Sequence, residues 1–129
     1  MSQGVYKFTP SVAGNNKYFT LGSFLPTWAK LYVSDDTSGS DSAAHVCAGE
    51  TDGTTQSYDA SFKQGANEQY DNNGTANRII KHIAHNGTNF TTPVELEFLT
   101  FTTLGGNNTI KMNVHAASSN YKVTIVCGN

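Results

Sequence analysis

Val94-Glu95-Leu96-Glu97-Phe98-Leu99-Thr100-Phe101 alternates apolar and acidic side chains through its first five residues. Successive side chains on a strand point to opposite faces, so Val94, Leu96 and Phe98 share an inward face and Glu95 and Glu97 face water. The alternation slips at Leu99-Thr100-Phe101, which predicts a bulge or a second buried face. Toward the C-terminus the same period returns twice. Ile110, Met112 and Val114 stand against Lys111, Asn113 and His115, and Tyr121, Val123, Ile125 and Cys127 line one face of the last segment. Turns at Leu104–Asn108 and Ser118–Asn120 separate these runs.

Toward the N-terminus the signals are shorter. Asn77–His85 fits a helix through Ile79, Ile80 and Ile83 and also fits a strand; its β-branched content and its surroundings favour strand. Asn86-Gly87 after it is a hairpin signal. Lys63–Ala76 is polar and aperiodic, and reads as an exposed loop. Val5–Thr9, Lys17–Leu21, Trp28–Val33, Ala44–Ala48 and Gln56–Phe62 read as strands, with a tight reversal at Asp52-Gly53. The expectation is an all-β, antiparallel, jelly-roll-like β-sandwich of about eight or nine strands, in one domain over residues 1–129. The expected core is Leu31, Val33, Ile80, Leu96, Phe98, Ile110, Met112, Val114, Val123 and Ile125.

Composition supports this. Charged residues are only 14 % of the chain, and Thr, Asn, Ser and Gly take their place. Thr suits a pleated surface and Asn, Ser and Gly suit turns. The net charge is −2, with no run of Lys or Arg, which argues against nucleic acid as a partner. Apolar runs are too short to cross a bilayer. Met1-Ser2-Gln3-Gly4 has neither a charged nor an apolar leader segment, so no signal peptide is expected. Cys47 and Cys127 read as two buried thiols, with a bridge between an earlier strand and the last one as the alternative.

Motifs for chemistry are sparse. The chain has no G-x-S-x-G, P-loop, G-x-G-x-x-G or H-E-x-x-H sequence. His82 and His85 could share a metal on a helix but point apart on a strand. Asp35, Asp36, Ser38 and Asp41 crowd a loop rich in calcium-type oxygens, without EF-hand spacing. Glu95 and Glu97 lie about 7 Å apart on one strand face, a separation compatible with a glycosidase pair, although solubilising carboxylates are the commoner use. No cofactor and no enzymatic activity are expected. The informative side chains are aromatic: Trp28 and Tyr32, opposite Ala29, Leu31 and Val33, and Tyr58 and Tyr70 in or beside polar segments. These suit core packing, a subunit interface or a sugar ligand. Asn73-Gly74-Thr75, Asn86-Gly87-Thr88, Asn89-Phe90-Thr91 and Asn107-Asn108-Thr109 have the form of glycosylation acceptors, expected to be unused without export.

Several segments resemble small β domains of tailed-phage virions: YKFTPSVAGNNKYFTLGSFLPTWAKLYVS, HVCAGETDGTTQS, NRIIKHIA and NYKVTIVCGN. The matching pieces are Phe24-Leu25-Pro26-Thr27-Trp28-Ala29, leading a strand, and Asp52-Gly53-Thr54-Thr55-Gln56, after the strand that holds His45. The resemblance implies a capsid-decoration, tail-tip or tail-fibre role on the virion surface, other virion proteins as partners, and a homo-oligomer, with a trimer favoured. It brings no catalytic residues. The alternative function is a carbohydrate-binding, lectin-like domain that contacts a host surface glycan.

Overall fold

A computed structural model describes residues 1–35 and 44–129. It holds twelve strands and no helix among those residues: β1 (Gln3–Phe8), β2 (Gly14–Thr20), β3 (Trp28–Asp35), β4 (Ala44–Thr51), β5 (Gln56–Gln64), β6 (Asn67–Asn72), β7 (Ile80–Lys81), β8 (Ala84–His85), β9 (Phe90–Thr91), β10 (Glu95–Leu104), β11 (Asn107–Ala116) and β12 (Tyr121–Gly128). The described acidic loop stops at Asp35; Asp36, Ser38 and Asp41 lie outside the described residues.

The expected antiparallel sandwich is what forms. One sheet has six strands in the order β1-β12-β3-β4-β5-β6, the other has four in the order β2-β11-β10-β7, and β8 and β9 make a small ribbon. Every pairing is antiparallel. The ends of the chain are nested: β1 pairs with β12 in one sheet while β2 pairs with β11 in the other. Such long-range closure ties the first two strands to the last two, one pair in each sheet.

The period-2 pattern sets which side chains meet between the layers. Ala29 and Leu31 of β3, Val123, Ile125 and Cys127 of β12, Leu96 and Phe98 of β10, and Ile110, Met112 and Val114 of β11 join one buried cluster. Nine of the ten expected core residues are buried; Val33 is half-buried and packs on the cluster's margin. A second cluster, Tyr58, Ala60, Phe62 and Ile83, lies under β5.

Two segments differ from the sequence reading. Lys63–Ala76 is not a loop: it contains β6, which forms a hairpin with β5 through register Gln64↔Asn67 to Asp59↔Asn72. β6 is an edge strand whose side chains are exposed almost throughout, and Tyr70 alone among them is apolar, so no period could show. Asn77–His85 is not one strand: Ile80-Lys81 joins β10 and Ala84-His85 joins the ribbon with β9. Here the chain crosses between layers, so Ile79, Ile80 and Ile83 are all buried regardless of alternation. The nine longer strands equal the expected number only because these two differences offset one another.

The slip in β10 is a bulge. Pairing with β11 shifts register between Phe98 and Thr100. On the other edge of β10, past the end of its pairing with β7, Gln56 of β5 reaches in from the opposite sheet: its Nε2 donates to Phe98 O at 3.0 Å and its Oε1 accepts Phe98 N–H at 2.7 Å. The preceding turn is held by Asp52, whose Oδ1 accepts the N–H of Thr54 (2.9 Å) and Thr55 (2.7 Å). The Asp52–Gln56 motif is therefore a structural device that shapes a hairpin and ties the two sheets together.

A candidate binding face on the six-stranded sheet

The outer face of the six-stranded sheet follows from alternation. With Ala29, Leu31, Cys47, Tyr58, Ala60 and Phe62 turned inward, the residues between them turn out: Trp28, Lys30 and Tyr32 on β3, Val46, Ala48 and Glu50 on β4, and Ser57, Asp59 and Ser61 on β5. Register aligns Tyr32 with Ala48 and Ala48 with Asp59, and Ser61 with Tyr70 of β6. On the other side Thr124 and Val126 of β12 oppose Tyr32 and Lys30, and Val5 of β1 opposes Val126.

This face carries several exposed apolar side chains among its polar ones. Val5 is 63 % exposed, Tyr32 45 %, Val46 57 % and Tyr70 70 %. Three shallow depressions run across it. The first, of about 380 Å³, is lined by Trp28, Lys30, Glu50, Asp52 and Ser57. The second shares Lys30, Glu50 and Ser57 with it and adds Tyr32 and Asp59. The third shares Asp59 and reaches Val46, Ser61 and Tyr70. Together they make one trough with an aromatic ring near each end and one in the middle, and with carboxylates of Glu50, Asp52 and Asp59 set against the ammonium of Lys30.

The four aromatic residues singled out in the sequence do not all belong here. Trp28 is half-buried, because its indole lies flat against Gly128: a Cβ at that position would stand 2.6 Å from the ring. Tyr32 and Tyr70 are open, and the Tyr70 hydroxyl bonds to the Glu68 carboxylate. Tyr58 is on the inner face and only 2 % exposed. Its hydroxyl accepts Thr75 N–H at 2.9 Å, so it packs as a core residue, with only its edge reaching the second depression. Glu50 and Asp59 went unnoticed in the sequence; the alternation of β4 and β5 carried that signal.

Elsewhere the charged groups hold each other. Glu95 and Glu97 share the outer face of the four-stranded sheet, as expected, but are half-buried rather than open to water. Arg78 Nε meets Glu95 at 2.6 Å and its Nη1 lies 3.8 Å from Glu97. Glu97 also takes His115 Nε2 at 2.9 Å and Asn113 Nδ2 at 3.2 Å. Burial raises the Glu97 pKa, but hydrogen bonds from His115 and Asn113 and the charges of His115 and Arg78 outweigh it, and the group titrates below the ordinary range. A glycosidase general acid needs the opposite shift. Lys81 pairs with Asp71 at 3.2 Å.

His82 is buried, stacks on His45 with ring centres 5.4 Å apart and meets Tyr121 at a tilt, 4.9 Å between centres, while His85 packs against Phe90 at 4.8 Å. Among the described residues no three His, Cys, Asp or Glu side chains converge as a metal would require. Cys47 and Cys127 are free and buried. Burial pushes the Cys47 thiol up to about 12, against a backbone hydrogen bond from Lys81 that lowers it, so it carries little thiolate at neutral pH.

Comparison with protein-family models, with curated proteins and with solved structures returned no match.

Proposed function

We propose that this chain is a non-enzymatic structural domain of a tailed-phage virion surface, of the capsid-decoration or tail-fibre kind, that assembles through the outer face of its six-stranded sheet. The observation that supports this reading is the exposed apolar set on that face, Val5, Tyr32, Val46 and Tyr70. Contiguous exposed apolar surface usually marks a contact, and Tyr is enriched where one end of a side chain stays wet and the other is covered. A net charge of −2 offers little repulsion between copies. The resemblance of the Phe24–Ala29 and Asp52–Gln56 segments to virion domains supplies the setting, and a trimer is the assembly it favours.

Sedimentation of the purified chain at micromolar concentration tests the reading. A self-associating species that Val46→Lys converts to a folded monomer supports it. A monomer at all accessible concentrations, with no binding to capsid or tail proteins of the same particle, overturns it.

A second reading is favoured by the trough itself. Trp28 beside Lys30, Glu50 and Asp52 offers an aromatic surface for the C–H face of a sugar with hydrogen-bonding groups for its hydroxyls. Titration with host-surface glycans would separate the two: saturable binding lost in Tyr32→Ala, by a chain that stays monomeric, would favour recognition over assembly.

A further inference from the structure

We propose that Asn86-Gly87, at the tip of the β8–β9 ribbon, is a self-modifying site at which the folded chain promotes conversion of Asn86 to aspartate and isoaspartate. Three groups needed for that reaction are already in place. The nucleophile is the Gly87 amide nitrogen, whose N–H donates to His85 Nδ1 at 3.1 Å. That bond requires the neutral imidazole tautomer with its proton on Nε2, leaving Nδ1 as a base. The electrophile is the Asn86 side-chain amide, whose Oδ1 accepts N–H bonds from Thr88 (3.0 Å) and Asn89 (2.8 Å). Two backbone donors on one carbonyl oxygen form the arrangement that stabilises a developing oxyanion. Both residues are exposed, so water reaches them.

The step balances without any further reagent. Gly87 N gives its proton to His85 Nδ1 as its lone pair forms a bond to Asn86 Cγ, and the carbonyl π electrons move onto Oδ1 between the two N–H donors. Collapse of this intermediate breaks the Cγ–Nδ2 bond. The departing nitrogen takes the proton back from His85 and leaves as ammonia. Water then opens the resulting succinimide ring at either carbonyl. The product carries one more negative charge, and the isoaspartate form adds a methylene to the main chain in the turn that sets Phe90 against His85.

The same chain carries its own comparison. Asn73-Gly74 has the same dipeptide sequence, but Gly74 N–H donates to the Asp71 carboxylate at 2.9 Å, a weaker base than imidazole by the ordinary pKa values of about 3.9 and about 6.5. Asn73 Oδ1 accepts a single N–H, that of Tyr58 at 2.7 Å, which fastens it to β5.

Peptide mapping by mass spectrometry, on the folded chain aged in neutral buffer and on the chain in concentrated urea, tests the proposal. In the folded chain Asn86 should convert at least about tenfold faster than Asn73, a lower bound on what a positioned general base contributes. In urea the two should convert at similar rates, and Asn86 should be slower there than in the folded chain. His85→Phe keeps a ring against Phe62 and Phe90 and removes the acceptor; it should slow Asn86 by about tenfold and leave Asn73 unchanged. Equal rates at the two sites in the folded chain, or faster conversion of Asn86 in urea, overturn the proposal even if the variant does not fold. An unchanged Asn86 rate in folded His85→Phe overturns the role of the imidazole.

Discussion

Phe98 and Gln56 meet at the bulge of β10, and each contributes differently to holding the layers together. Phe98 is buried in the main cluster with Phe101 at 4.9 Å between ring centres. Phe98→Ala should cost about 3–5 kcal/mol, since the cavity closes only in part; urea denaturation measures it. Gln56 adds no apolar area but satisfies both main-chain groups of Phe98. These groups lie on the edge of β10 that β7 pairs only as far as Leu96, so Gln56→Ala strands a donor and an acceptor. The expected loss is about 2–6 kcal/mol, from about 1–3 kcal/mol for each unsatisfied buried group. Gln56→Glu should be nearly as harmful, because a carboxylate cannot donate to Phe98 O. The inward side of β10 was legible from its alternation; the side chain that completes its open edge was not, because 42 residues separate Gln56 from Phe98.

At the scale of elements, the crossing between layers is the tightest place. Gly49 of β4 lies under the Ile79 carbonyl, and a Cβ there would stand 1.5 Å from that oxygen. Side-chain movement cannot relieve a clash with main chain, so Gly49→Ala should cost about 3 kcal/mol or more, at the upper end of overpacking effects; thermal denaturation checks it. The carboxylates that fasten neighbouring elements give a pH dependence. Glu97 joins β10 to β11 and Arg78, and Asp71 joins β6 to Lys81. For Asp71 burial raises the pKa, but bonds from Tyr58, Gly74 and Lys81 outweigh it and the group titrates low, as Glu97 does. Both pKa values are lower folded than unfolded, so the unfolded chain binds more protons in acid. Their stabilisation is complete above the unfolded values of about 4 and is lost as pH falls through the folded ones. Midpoints of urea unfolding should fall steeply below about pH 4, and Glu97→Gln should flatten part of that fall. Unchanged slopes would show that the network is already lost in solution.

For the whole molecule, assembly through the six-stranded sheet predicts an order of effects. Tyr32 has few monomer contacts to lose, so Tyr32→Ala should weaken self-association about tenfold or more while changing stability by less than about 0.5 kcal/mol. Trp28→Ala should weaken both, because its indole also covers Gly128 within one chain. Size-exclusion light scattering beside thermal denaturation separates the two quantities; a larger loss of stability than of association for Tyr32→Ala would place that ring in the fold. The sequence by itself determined the all-β class, the inward faces of β3, β10, β11 and β12, and the bulge, because period-2 burial is a local property of a strand with one face in the core. It did not show β6, an edge strand with little burial to leave a pattern, nor the break of Asn77–His85 between two sheets, where Ile79 and Ile80 enter the main cluster and Ile83 the second one. Tertiary structure alone decided that Tyr58 turns into the core while Tyr70 stays in water, and that Glu95 and Glu97 share Arg78. It also gathered Trp28, Glu50 and Asp59 into one trough. Each of these rests on contacts between strands whose pairing the local pattern does not encode, because alternation fixes which face a side chain takes and leaves open which strand lies beside it.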